Sequence, residues 1–138
     1  MRAELIFIPV LIQITLTLVV YVALGRAKEI ALKKGEVDTT RRGMHDDAWP
    51  ATVQKINNNI KNQFETPILF YVLIILLWLL GAANLLAQLT AWIYAITRVM
   101  HAYVHTGSND VPLRKRLFQS GIVLLFVLTA LTIFAVIS

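Results

Sequence analysis

Four long apolar runs, separated by polar connections of unequal length, organise the chain. Residues 5–25 form the first, interrupted only by Pro9, Gln13, Thr15 and Thr17, groups that a helix satisfies on itself or against neighbouring helices. A helix needs about 20 mostly apolar residues to cross a hydrocarbon core, and this run has that length. Residues 26–61 then turn to Lys, Arg, Asp, Asn and Gly, a solvated connection with helical ends. Trp49-Pro50 reads as an interfacial aromatic followed by a helix start near Pro50 or Ala51. That helix enters the apolar layer near Phe64, giving a second span at residues 64–82. A turn at Gly81-Ala82-Ala83-Asn84 leads to a third span at residues 85–105. After Thr106-Gly107-Ser108-Asn109-Asp110, Pro112 fits the first turn of a fourth helix capped by Asn109 or Asp110, with its span at about 115–137. The expected architecture is an all-α integral membrane four-helix bundle, one domain over residues 1–138.

Composition agrees. Hydrophobic residues make up 57% and charged residues only 15%, where a soluble domain carries about 25% charged residues, so the excess apolar surface faces lipid. The net charge of +5 does not imply nucleic acid, because nearly all the bases sit in two connections. Arg26, Lys28, Lys33, Lys34, Arg41, Arg42, Lys55 and Lys61 fall in the first, and Arg114, Lys115 and Arg116 follow the third. The second connection has none and the N-terminus only Arg2. The positive-inside rule therefore places both basic connections in the cytoplasm and both termini outside. Ala23-Leu24-Gly25 resembles a signal-peptidase site, but the run is too long for a signal core and Arg2 is offset by Glu4, so helix one reads as a retained anchor. With no cysteine, disulfides, cysteine-ligated metals and a protein thiol nucleophile are excluded.

The chemistry gathers at the cytoplasmic end. Asn58, Asn62 and Glu65, at i, i+4 and i+7, share one helix face. Tyr94, Arg98, His101 and His105 form a second stripe, with Arg98 about two turns before the cytoplasmic end of its helix. An ionisable group at that depth faces the bundle and takes a partner, and Glu65 is the carboxylate at matching depth, so an Arg98–Glu65 contact is expected, direct or through a ligand. The alternative is a structural ion pair with helix-to-helix amide hydrogen bonds. Two histidines without a third ligand do not make a metal site. Arg114, opening helix four, can stabilise an anion such as a thiolate, whereas Lys115 and Arg116 suit headgroup anchoring. A channel is disfavoured, because helix four offers only Gln119, Ser120, Thr129 and Thr132.

Asn62-x-x-Glu65 followed by Pro67, Arg98-Val99-Met100-His101, and Val111-Pro112-Leu113-Arg114, in this order on helices two, three and four, resemble the membrane-associated proteins in eicosanoid and glutathione metabolism, the MAPEG family, of a bacterial type. The resemblance covers essentially the whole chain. It implies a homotrimer in the inner membrane with periplasmic termini, contacting membrane lipids and binding glutathione between subunits. It further implies a transferase or peroxidase acting on a lipophilic small-molecule substrate, an electrophile or a lipid hydroperoxide. By the same resemblance Arg114 is the catalytic, thiolate-stabilising residue, Asn62, Glu65 and His101 match glutathione contacts, and Arg26 matches an arginine contributed by a neighbouring subunit; Asn58, Arg98 and His105, from the two polar stripes, complete the glutathione-binding candidates. Asn58 and Lys61 stand where glutathione-using members carry arginines, His105 where they carry a tyrosine, and Asp110 in place of a further arginine. These departures favour an alternative, a non-catalytic trimeric protein that binds lipid or another ligand.

Overall fold

The computed structural model of the protein describes residues 2–138. A short 3-10 turn at Ala3–Ile6 leads into α1 (Phe7–Lys33); α2 (Ala51–Gln63), α3 (Thr66–Leu79), α4 (Leu85–Thr106) and α5 (Val111–Ile137) follow. Helices α2 and α3 form one broken rod, so the bundle has four rods. By length and composition, α1, the α2–α3 rod and α5 are able to cross a membrane.

Helix α4 lacks that overall hydropathy because its polar residues are turned inward. Gln88, Thr90, Arg98, His101 and His105 are buried, while Leu85, Leu86, Leu89, Trp92, Ile93, Ile96, Val99 and Met100 are exposed. An outward face that is entirely apolar, over an interior that is partly polar, is the pattern of a helix surrounded by lipid rather than water. The protein is thus an integral membrane helical bundle.

Helix α1 is about 40 Å long at 1.5 Å per residue, longer than a hydrocarbon core of about 30 Å, so its basic end, from Arg26 to Lys33, projects past the span. It buries Pro9, Gln13, Thr17, Val20, Leu24 and Ala31, which share one face at three- and four-residue steps. Gly35, at φ +69°, ends it. Glu36 N donates to Ala31 O at 3.0 Å and Gly35 N to Leu32 O at 3.1 Å, a Schellman motif that needs a left-handed residue at this point. Gly81, at φ +67°, closes α3 in the same way. The segment between α1 and α2 is tied down as a strap. The Arg41 guanidinium reaches both carboxylate oxygens of Asp47 at 3.0 Å, Lys61 pairs with Asp46, and the Lys28 ammonium sits 5.0 Å from the Trp49 ring centroid.

Two apolar cores hold the rods together. Near the termini, Ile6, Phe70, Ile74, Leu77, Tyr94, Leu125 and Leu128 pack together, with Phe70 stacked on Tyr94 at 4.3 Å between centroids. Near the strap, Val20, Leu24 and Ala31 of α1 pack on Val53 and Ile60 of α2. Ala87, Ala91 and Ala95, four residues apart on α4 and all buried, are the small-residue spacing that lets membrane helices approach closely.

The helix break between α2 and α3 corrects one sequence expectation. Pro67 has no N–H to donate to Gln63 O, so α2 stops at Gln63 and Glu65 adopts φ −96°, ψ −101°, outside the helical region. Asn58, Asn62 and Glu65 therefore do not form a continuous face, and the polar residues α2 buries are Asn59 and Gln63.

Candidate functional site

Short connections bring the candidate residues to one end of the bundle. After α4, Asn109 takes φ +54°, a left-handed conformation that asparagine tolerates better than most residues, and its N–H donates to Val104 O at 2.8 Å. The chain thereby reverses and α5 starts at once, with the Asp110 carboxylate capping Leu113 N at 3.1 Å. Of the two caps the sequence allows, Asp110 is the one used. Asn109 instead receives a hydrogen bond from Arg114 Nη1 at 2.6 Å, so the guanidinium is held from its own helix start.

Arg114 lines a cleft of about 310 Å³ together with Asn62 from the end of α2, His101 from α4, and Val111, Lys115 and Phe118 from α5. Phe118 forms an apolar wall, its ring centroid 6.1 Å from that of His101. His105 stands behind Asn62, whose Nδ2 lies 3.3 Å from His105 Nδ1. The His101 and His105 rings meet edge to face at 5.5 Å, and Arg98 and Arg114 are the cations whose charges reach them.

Arg98 lies deeper, 1% exposed. Among the described residues its Nε and Nη2 have no hydrogen-bond partner, and neither do the Tyr94 hydroxyl and His101 Nδ1. Three buried polar side chains on one α4 stripe thus hold unused hydrogen-bonding capacity. Gly121 of α5 packs against two of them, and a Cβ there would make ordinary contacts, 3.6 Å from Tyr94 Cε2 and 4.0 Å from Arg98 Cδ.

The expected direct Arg98–Glu65 contact is not made. Among the described residues Glu65 has no basic side chain within 4 Å. The break at Phe64–Glu65 carries the carboxylate to the surface. Asn58 is exposed on α2. Arg26 is exposed on α1, where it borders a separate apolar groove with Leu18, Val19, Val22 and Ile30, and it does not line the cleft within this chain. The cluster is therefore Asn62, His101 and Arg114 at the cleft, with His105 and Arg98 behind it, and Glu65, Asn58 and Arg26 outside it.

Sequence reasoning missed Asn109 as the residue holding Arg114, and the buried amides Gln13, Asn59 and Gln63. Their signal was i, i+4 pairing, Gln13 with Thr17 and Asn59 with Gln63, inside two helices that must face each other.

A family model described as the MAPEG family matches residues 6–134 of the chain. No curated protein and no solved structure matches it.

Proposed function

The chain belongs to the MAPEG family, and we propose that it is a glutathione-dependent transferase or peroxidase acting on lipophilic electrophiles or lipid hydroperoxides at the membrane. The supporting observation is the convergence of Asn62, His101 and Arg114, from three separate helices, on one cleft. The donor set suits the ligand. Glutathione carries two carboxylates, and the cleft holds Arg114 and Lys115, with the unpartnered Arg98 nitrogens nearby. Charge-assisted hydrogen bonds to carboxylates are among the stronger ones available.

Glutathione brings the thiol that this cysteine-free chain lacks. A guanidinium beside that thiol favours its ionised form and lowers its pKa from about 8.5. In this reading Arg114 is the catalytic residue, oriented by Asn109, and Asn62 and His101 position the peptide. The Phe118 wall excludes water on one side and presents an apolar surface to a substrate arriving from the bilayer. The cleft is open, and Arg26 and Glu65 lie outside it; a homotrimer, with a neighbouring subunit supplying Arg26, completes the site. The membrane is the bacterial inner membrane, with the termini periplasmic and the cleft cytoplasmic.

The test is titration of glutathione into the detergent-purified protein, followed by turnover of a generic lipophilic electrophile, for the wild type and Arg114→Ala. Saturable binding, with turnover lost in the variant, is expected. Full activity in Arg114→Ala removes the assigned role. A second reading, a non-catalytic ligand-binding protein, is favoured by the exposure of Glu65 and Arg26, and it predicts ligand-dependent thermal stabilisation without thiol-dependent turnover.

A further inference from the structure

A chain of side-chain amides crosses the bundle interior and ends at the cleft. Gln13 Nε2 of α1 donates to Gln63 Oε1, and the Thr17 hydroxyl, 3.2 Å from the same oxygen, also lies 3.1 Å from Gln13 O. Gln63 Nε2 donates to Asn59 Oδ1 at 3.1 Å. Asn59 Nδ2 is 3.3 Å from His105 Nδ1 on α4. Gln13, Gln63 and Asn59 are at most 1% exposed and His105 is 4% exposed, so bulk water is excluded from exchanging donors for acceptors.

The chain has a direction. A primary amide has one accepting end and one donating end. With the Gln63 oxygen turned to α1, its NH₂ faces Asn59, whose oxygen is then used and whose NH₂ faces His105. In that direction His105 Nδ1 accepts and carries no proton, which is the Nε2–H tautomer. The same Nδ1 faces Asn62 Nδ2 at 3.3 Å. Asn62 is then turned with its NH₂ toward His105, and its Oδ1, which no group among the described residues uses, is left for the cleft that Asn62 lines.

We propose that His105 is a positioning residue that sets the polarity of this corner: it makes Asn62 an acceptor, so the corner takes an N–H group of the ligand, an ammonium or an amide, while ligand carboxylates go to the Arg114 side. The inference rests on the glutathione reading for the identity of the ligand. Glutathione, with an ammonium, two amide N–H groups and two carboxylates, matches both sides. The tautomer and the orientation of Asn62 depend on the direction of the amide chain and not on the ligand.

The first experiment needs no ligand. The full-length protein, labelled with ¹⁵N-histidine and held in detergent micelles, is examined by NMR, with the His105 signals assigned by their loss in His105→Gln. An unprotonated Nδ1 and a protonated Nε2 are expected, and Asn59→Leu, which removes one of the two donors, should populate the other tautomer. A wild-type His105 with its proton on Nδ1 overturns the proposal. The second experiment titrates glutathione into the wild type, His105→Gln and His105→Phe. Glutamine still offers an acceptor to Asn62 and should bind within about threefold of the wild type, while phenylalanine offers none and should weaken binding about tenfold. Equal affinity in the wild type and His105→Phe overturns the positioning role even if the tautomer is as expected. If the wild type binds no glutathione, the functional reading fails, and the tautomer measurement still decides the amide chain.

Discussion

Arg114 Nη1 and Asn109 Oδ1 are 2.6 Å apart, and the asparagine that accepts this hydrogen bond is also the non-glycine residue that turns the chain at φ +54°. One residue thus reverses the chain and aims the guanidinium. The two jobs are separable by substitution. Asn109→Gly keeps the left-handed backbone and loses the acceptor, so kcat/KM for glutathione-dependent turnover should fall about tenfold, the equivalent of about 1.4 kcal/mol, with little change in melting temperature. Asn109→Ala loses the acceptor and adds a left-handed strain of about 1–2 kcal/mol, so it should lose both activity and thermal stability. If Asn109→Gly turns over like the wild type, Arg114 does not depend on this contact.

Gly121 gives a packing test at the same depth as Arg98. A single added methyl meets Tyr94 and Arg98 at 3.6 and 4.0 Å, ordinary contact distances, so Gly121→Ala should leave the detergent melting temperature nearly unchanged. Gly121→Leu has no free space, and forcing a larger side chain into a packed interior costs about 1–3 kcal/mol. Its melting temperature should fall, and glutathione binding should weaken with it, because Tyr94 and Arg98 must move. Equal melting temperatures for the Ala and Leu variants would mean that α5 is free to slide away from α4.

Much of this arrangement is readable from residue spacing, and what is not has identifiable causes. Tyr94, Arg98, His101 and His105 are expected on one inward stripe and are buried on one, because α4 is regular from end to end and periodicity survives. The Asn58, Asn62 and Glu65 face fails because it extends across Pro67's missing hydrogen bond, and the two-residue break at Phe64 and Glu65 rotates everything after it. Gln13 and Thr17 look like tolerated interruptions of an apolar run. Their partner, Gln63, lies 50 positions from Gln13, and no local pattern carries that pairing. Asn109 is a turn residue by its type, but its side-chain contact depends on where α5 begins.

The strap between α1 and α2 should respond to acid before the bundle does. The Thr40 hydroxyl, donating at 2.7 Å, holds Asp38 below its ordinary value of 3.8. The Arg41 guanidinium holds Asp47 below the same value by hydrogen bonding to it. Groups whose folded pKa is depressed stabilise the native form fully above the unfolded value, and that contribution is lost as pH falls through the folded value. Hydrogen-exchange protection in residues 38–48, corrected for the intrinsic pH dependence of amide exchange, should therefore be constant from neutral pH down to about 4 and fall below it, while α4 stays protected. Arg41→Ala should accelerate exchange in the strap already at neutral pH. Loss of protection in the wild type near neutral pH would mean that the carboxylates do not hold the strap.

Arg98 decides whether the deep polar stripe serves binding or architecture. A buried charge is stabilising when it is paired and hydrogen-bonded, and replacing an unpaired one with an apolar residue of similar volume is neutral or favourable. Arg98 has two unpartnered nitrogens and is 1% exposed, and the carboxylate expected to meet it lies at the surface. Arg98→Met should therefore keep or raise the melting temperature of the ligand-free protein and weaken glutathione by more than tenfold, a loss of at least about 1.4 kcal/mol. A protein in which glutathione stabilises the wild type but not Arg98→Met would show the linkage directly. A sharp drop in the stability of ligand-free Arg98→Met would instead mean that the guanidinium is compensated within the assembled protein, by Glu65 of the same chain or by another copy, and that its first role is to hold the helices together.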